Sequence, residues 1–223
     1  MTVMMSLSNT LPGNAMPLLL LADDHPLFRA ALKQTLVQSN LVIDAECVEC
    51  ESLSAVQKLL EEGLEPDLIL LDLHMPGTLG FAGLASLRGC FPETPVAIVS
   101  GDDSMARVTR AEQLGASGFI SKSLAPAELA LAISRLLAGD LWFDKVAAQD
   151  SPEVDEVAER IANLTPHQFR VFSMLCEGML NKQIAFELEI AEPTVKSHVT
   201  AIMRKLGVRK RTEVILLAQK LAN

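Results

Sequence analysis

The 223-residue chain contains no tyrosine, one tryptophan and eight phenylalanines, so aromatics make up only 4% of it. Its cores must therefore be built from Leu, Val, Ile and Ala. A domain that encloses an organic ligand between aromatic walls fits this composition poorly. No stretch reaches the ~18–20 consecutive apolar residues that a membrane-spanning helix needs, so no membrane partner is expected. The opening MTVMMSLSNTLPGNAM lacks the basic region of a signal peptide, and residues 1–16 read as a disordered leader. Cysteine is scarce as well. Cys47, Cys50, Cys90 and Cys176 do not make the disulfide framework of a secreted protein. Cys47 and Cys50 match C-x-x-C, but they close a strand-like run instead of opening a helix, and no second pair completes a zinc site. These absences predict a reduced, cytoplasmic protein. What remains is plentiful: 49% hydrophobic residues and no low-complexity tract, enough for packed domains.

Charge is unevenly spread. Residues 1–140 carry 8 Lys/Arg against 17 Asp/Glu, residues 141–160 carry 2 against 6, and residues 161–223 carry 9 against 5. Only the tail is basic, so only the tail is expected to face a polyanion.

Up to about residue 137, short apolar runs at 17–22, 41–47, 67–73, 95–100 and 117–120 alternate with helix-like segments at 26–38, 52–61, 80–89, 104–114 and 126–137. Uniformly apolar strands separated by helices imply a parallel sheet covered on both faces, hence an α/β doubly wound (βα)5 domain over 17–138. Residues 139–160 turn acidic, contain Ser151-Pro152, and read as a linker with some helical content. From 161 to 223 the periodicity is only helical, at 166–177, 181–188, 192–206 and 210–221, which predicts a small all-α domain.

In such a sheet, ligands bind at the C-terminal ends of the strands. Asp23 and Asp24 follow the first run, Asp72 ends the third, Ser100 ends the fourth and Lys122 follows the fifth. Three converging carboxylates repel one another unless a divalent cation neutralises them. One of them can serve as nucleophile, while Ser and Lys suit phosphoryl oxygens. A single Asp at a strand end would be a turn residue or a helix cap; five suitable residues at five expected ends point to a site.

The pieces LADDHPLFRAAL, DLILLDLHMPG, VSGDD and GASGFISKS resemble the receiver domain of bacterial response regulators. The resemblance implies that Asp72 accepts a phosphoryl group from a phosphohistidine on a sensor histidine kinase. It also implies Mg²⁺ held by Asp23, Asp24, Asp72 and the backbone carbonyl of His74, with Ser100 and Lys122 on the phosphoryl group. Phe119 takes the aromatic switch position and is expected to turn inward when Ser100 moves toward the phosphate. Ser123 departs from the proline common after the lysine, and the side chain of His74 occupies a variable position.

The tail carries NKQIA, PTVKSHV and KLGVRKRTE, which resemble the LuxR/NarL (FixJ) helix-turn-helix class over 161–223. Thr165 with Pro166 is a strong helix start, and Asn181 is expected to cap the next helix. The resemblance makes 192–206 the recognition helix. Lys196, Ser197 and Thr200 are expected at base edges, with Arg204 on the same face, and Lys182, Lys205, Arg209 and Lys210 at phosphates. The last helix is the family's usual homodimerisation surface; its apolar stripe of Val214, Leu217 and Leu221 serves either that surface, core packing, or both. Gln168 and Arg170 stand where glutamates are usual, Glu189 replaces a common turn glycine, and Thr200 replaces a common Lys.

Together these features imply a phosphorylation-controlled transcriptional regulator that binds promoter DNA as a homodimer and contacts RNA polymerase. It would take part in its own phosphorylation without being an enzyme in the turnover sense. Phosphorylation would promote dimerisation, release of the reader, or both. Two competing classes fit less well. A Mg²⁺-dependent aspartyl phosphohydrolase would need an acid/base companion that the cluster lacks. A constitutive DNA-binding protein would have no use for the complete set of Asp23, Asp24, Asp72, Ser100 and Lys122.

Overall fold

The computed structural model describes residues 16–39, 45–143 and 156–222. Residues 1–15 of the expected leader, 41–44 of the expected second strand and 144–155 of the expected linker lie outside them. Strands and helices alternate first: β1 (Leu18–Ala22), α1 (Pro26–Gln38), β2 (Glu46–Cys50), α2 (Leu53–Glu61), β3 (Leu68–Asp72), α3 (Phe81–Cys90), β4 (Val96–Ser100), α4 (Met105–Gln113), β5 (Gly118–Ser121) and α5 (Pro126–Leu137). Five helices follow: α6 (Glu156–Ala162), α7 (Pro166–Cys176), α8 (Asn181–Glu187), α9 (Glu192–Leu206) and α10 (Arg211–Ala222).

The sheet is parallel with strand order β2-β1-β3-β4-β5. Its reversal of direction around β1 is the doubly wound arrangement. Because side chains alternate along a strand, each apolar run feeds two cores. Leu19, Leu21, Leu68, Leu70, Ala97 and Val99 pack with Leu32 and Leu36 of α1 and Ile133 and Leu136 of α5. Leu20, Ile69, Leu71, Val96 and Ile98 pack on the other face with α2, α3 and α4. That alternation explains why the strands are apolar throughout instead of every second residue.

The second strand departs from the sequence expectation. It runs over Glu46–Cys50, so the C-x-x-C lies within an edge strand, where Cys47 and Cys50 both sit among strand residues. The segment expected to begin the linker also joins the sheet. Phe119 N donates to Trp142 O at 2.7 Å and Trp142 N donates to Ser117 O at 3.1 Å, which covers the β5 edge. Further on, α6 begins at Glu156, inside the expected linker.

The helical domain packs directly on the sheet domain. Helix α3 has the sequence FAGLASLRGC and is buried from Phe81 to Leu87. A helix apolar on all sides must be covered on all sides, and here the sheet covers one side while α6, α7 and α10 cover another. One apolar cluster therefore runs from Ile69 and Leu84 through Ile161 to Phe169 and Val214. Gly89 makes the close approach possible: a Cβ there would lie 2.0 Å from Ala162 O. Around this seam, Arg170 pairs with Glu61 at 3.1 Å. Ser173 Oγ donates to Gly77 O at 3.4 Å, and Cys90 Sγ to Leu164 O at 3.2 Å.

Candidate acidic metal site and nucleic-acid interface

Parallel strands place all their C-terminal ends on one edge, and the strand order sets the neighbours. Asp23 follows β1, Asp72 ends β3, Ser100 ends β4 and Lys122 follows β5. Asp23, Asp72 and Ser100 are buried, and Asp24 is partly exposed. A cleft of about 480 Å³, lined by His25, Phe28, Asp72, His74 and Lys122 among others, opens over this edge.

The carboxylates are bridged by a lysine on one side and approached by a histidine on the other. Lys122 Nζ lies 2.7 Å from Asp23 Oδ2 and 2.9 Å from Asp72 Oδ2. Burial acts to lower the Lys122 pKa, but its hydrogen bonds to Asp23 and Asp72 outweigh that and raise it above the ordinary lysine value. The ammonium also sits 4.9 Å above the Phe28 ring, a cation–π contact. From the other side, His25 Nδ1 approaches Asp24 Oδ1 at 2.8 Å and Asp23 Oδ1 at 3.0 Å. The His25 backbone N donates to Asp23 Oδ1 at 2.7 Å. One ligand atom from each of Asp23, Asp24, His25 and Asp72 falls within 4.8 Å of the others. Clustered hard oxygen donors suit a divalent cation.

Below this layer, Arg29 is buried and anchors the loop after β1. It donates to the Asp23 carbonyl and to the carboxylates of Glu49 and Glu51. Its hydrogen bond to Glu49 leads the effects that push its own pKa up. Neither Arg29 nor His25 was expected from the sequence. Arg29 could have been found as a lone charge in the 29-32-36 helical register of α1, whose other members, Leu32 and Leu36, are core.

The remaining expected residues behave differently. His74 is exposed; its backbone N donates to Asp72 Oδ1 at 3.2 Å. Ser100 Oγ accepts from Asp102 N at 3.2 Å and Ser100 O from Lys122 N at 2.8 Å. Phe119 is already inside, 4% exposed and packed in the α2–α4 core. The expected inward turn is therefore not a change available from this conformation.

The loop that leaves Asp72 is tightly specified. Thr78, itself buried, donates to both Leu73 O and Met75 O at 2.7 Å. Leu53 N donates to Pro76 O at 3.2 Å. Two residues beyond Met75, Gly77 meets Ser173 of the helical domain, so one short loop joins the acidic edge to the domain seam.

In the helical domain, Thr165 and Gln168 form a capping box: Thr165 Oγ1 accepts from Gln168 N, and Gln168 Oε1 accepts from Thr165 N. Helix α9 buries Val195, Ile202 and Leu206. Lys196, Ser197, Thr200, Ala201 and Arg204 line its open outer side, and the Lys196 side chain is 63% exposed. The domain seam thus leaves the expected reading face uncovered. Lys196 pairs with Glu192 at 2.9 Å. Ser197 Oγ and Thr200 Oγ1 donate to helix carbonyls one turn back, which leaves their oxygens as acceptors. Lys182, Arg209 and Lys210 are exposed.

Lys205 is engaged within the chain: its ammonium donates to Asn163 O at 2.8 Å and Gln168 Oε1 at 2.7 Å. Asn181 is not a cap; it is the first residue of α8, and its Oδ1 accepts from Arg211 at 3.2 Å. Val214 lies wholly in the core, so it cannot serve a dimer surface; Leu216, on the same helix, is exposed instead, and the Leu221 side chain lies outside the described ones. The departures at 168 and 170 also gain a physical reason, since Gln168 completes the cap and holds Lys205 while Arg170 pairs with Glu61.

Residues 19–134 match the response regulator receiver domain, and residues 162–218 match the luxR family of bacterial regulatory proteins. The chain is 39% identical over 213 residues to the glycerol metabolism activator of Pseudomonas putida, which covers 90% of this chain and 94% of that protein. It is 33% identical over 200 residues to the nitrate/nitrite response regulator protein NarL of Escherichia coli K12, covering 87% of this chain and 91% of that protein. Among solved structures, an RcsB response regulator of Salmonella typhimurium has a TM-score of 0.51 and 25% identity, covering 90% of this chain and 97% of that one.

Proposed function

The chain belongs to the response regulators that join a receiver domain to a LuxR-type DNA-binding domain, and from that premise we propose that Asp72 is the phosphoacceptor whose modification controls promoter binding by α9. The observation that carries this reading is the nearly buried set of Asp23, Asp72 and Lys122, with Asp24 beside it, on the same chain as an uncovered α9. The receiver spans 17–138 and the reader 161–223, with α6 bridging into the linker between them.

Asp72 Oδ attacks the phosphorus of a phosphohistidine on a sensor kinase; the P–O bond forms, the P–N bond breaks, and the imidazole leaves. Asp23, Asp24, Asp72 and the His74 carbonyl would hold Mg²⁺, which would supply positive charge to offset the carboxylates and the incoming phosphoryl group. Lys122 is already bonded to Asp72 and moves with little rearrangement onto a phosphoryl oxygen, while Ser100 Oγ leaves Asp102 N for another. The incoming group thus breaks the Lys122 bridge between Asp23 and Asp72. The loop 73–80 then transmits that change to Gly77 and Ser173 at the seam.

Because the outer side of α9 is open while the domains are docked, the reader does not need unmasking to touch DNA. Control is better placed on dimerisation, with two readers engaging two half-sites. Lys182, Arg209 and Lys210 supply phosphate contacts, and Lys196, Ser197, Thr200 and Arg204 the base-edge contacts. RNA polymerase is the partner expected at the promoter. The chain acts as a regulator in the cytoplasm, and among its described residues no helix is long and apolar enough to cross a membrane. Beryllofluoride as phosphoryl mimic tests the reading: it should bind the Mg²⁺-loaded wild type and fail to bind Asp72→Asn. Equal binding to both proteins would remove Asp72 from its role.

A further inference from the structure

The side chain of His25 lies at the acidic edge but has no part in the phosphoryl transfer assigned above. Its main chain is pinned on both sides. The backbone N donates to Asp23 Oδ1 at 2.7 Å, and the backbone O accepts from Phe28 N and Arg29 N in the first turn of α1. Pro26 follows at the start of that helix and restricts His25 to extended backbone, where it sits at φ −95 and ψ 100. From this position the ring leans over the strand ends. Its Nδ1 lies 2.8 Å from Asp24 Oδ1, 3.0 Å from Asp23 Oδ1 and 3.8 Å from Asp72 Oδ2. One imidazole nitrogen and one oxygen from each of three carboxylates thus fall within 4.8 Å of one another. The close approach to Asp24 Oδ1 is not a hydrogen bond, since that oxygen has no hydrogen-bond partner. The His25 side chain is 63% exposed and lines the cleft of about 480 Å³ over this edge, so it can adjust to an entering ion.

We propose that His25 Nδ1 is a ligand of the divalent ion at this edge and tunes the site toward first-row transition ions, a role that rests on the metal reading above and adds a nitrogen to it. Mg²⁺ is hard, prefers oxygen donors and gives up its waters reluctantly, so an imidazole adds little to its affinity. Mn²⁺, Co²⁺ and Ni²⁺ bind more tightly in that order, and imidazole suits the later ions well. Three carboxylates with one imidazole therefore admit both kinds of ion but favour the second. His74 does not supply the nitrogen: its Nδ1 lies 3.8 Å from Asp72 Oδ1 and falls outside the clustered atoms. The competing role for His25 is that of an internal partner for Asp23 and Asp24, which an ion must displace. The two roles have opposite consequences. Removing a ligand weakens only the ions that seek nitrogen, whereas removing a competitor tightens every ion.

The test is calorimetric titration of the full-length chain with Mg²⁺ and with Ni²⁺, in wild type, His25→Ala and His25→Phe. The phenylalanine variant keeps a flat ring without nitrogen, and covers the case in which the smaller side chain unsettles the loop after β1. Wild type should bind Ni²⁺ on the order of a hundredfold tighter than Mg²⁺, and excess Mg²⁺ should displace it, placing both ions in one site. Both variants should weaken Ni²⁺ by about tenfold and leave Mg²⁺ within about threefold. Unchanged Ni²⁺ affinity in both variants, equal losses for the two ions, tighter binding of both, or Ni²⁺ that Mg²⁺ cannot displace would each overturn the assignment of His25. Those results, with Mg²⁺ still bound by wild type, would leave the metal reading standing. Binding of neither ion to wild type would overturn both together.

Discussion

The acidic edge of the receiver and the outer face of α9 are both built from charged side chains, but they handle charge in opposite ways. At the edge, Asp72 is 1% exposed and Lys122 is bonded to two carboxylates, so each charge depends on its neighbours. On α9, Lys196 is 63% exposed and its one ion pair is an i,i+4 contact in water, worth a few tenths of a kcal/mol. The first arrangement is a pre-formed site whose balance a single new charge upsets. The second is a surface that a polyanion can claim without breaking anything expensive. A switch needs the first; a reader that must slide and sample needs the second.

The largest test of that contrast is Lys122→Ala without metal. It leaves Asp23 and Asp72 buried without their cation, and should lower unfolding stability by about 3 kcal/mol, the scale of a broken buried pair. Mg²⁺ should restore much of the loss in urea titrations. Lys196→Ala under the same conditions should leave stability unchanged.

Next comes the seam that joins the two regions. Gly89→Ala places a Cβ against Ala162 O, and forcing α3 from α6 should cost about 2 kcal/mol. The same substitution at Gly101, where nothing lies within 4 Å, should be close to neutral. Equal midpoints for the two variants would mean that α6 does not dock on α3 in solution.

A smaller effect sits in the helix-turn-helix turn. Glu189 holds φ +51, a left-handed conformation that favours glycine. Glu189→Gly should therefore raise stability by about 1 kcal/mol, measured as a shift in the urea midpoint. The smallest change separates free from occupied lysines. Removing Lys182 should reduce the slope of log affinity against log salt by about one, as loss of one phosphate contact does. Removing Lys205 should leave the slope alone, because Asn163 and Gln168 already hold that ammonium. A slope change for Lys205→Ala would show that the contact opens on DNA.

The same contrast explains what could be read before the fold was known. Strands β1, β3, β4 and β5 and the Asp23, Asp24, Asp72, Ser100 and Lys122 set are legible because strands buried on both faces must be apolar throughout, which makes a polar residue at their ends conspicuous. The edge strand lies later than the apolar pattern suggests, because Glu46 and Glu49 are exposed and the apolar run just before them dominates the pattern. Helix α6, which runs from the expected linker into the reader, stands out from its surroundings only weakly in the sequence for a related reason. It has seven residues, and Ala158 and Ile161 find their partners on another domain. Tertiary pairings left no local mark. The Gln168 partner of Lys205 has no signature in the sequence, Asn181 reads as a cap until Arg211 takes its oxygen, and nothing near His25 in the sequence shows its ring turned onto the carboxylates around it.

The most direct test of the account is DNA binding by the full-length protein with Mg²⁺, with and without beryllofluoride, beside Asp72→Asn, using sites selected from randomised duplexes. The account predicts tighter binding to paired half-sites, as a dimer, only for wild type with the mimic, and equal weak binding in the other three samples. Equal affinity and equal stoichiometry in all four would contradict it and leave a constitutive DNA-binding protein with a structural receiver.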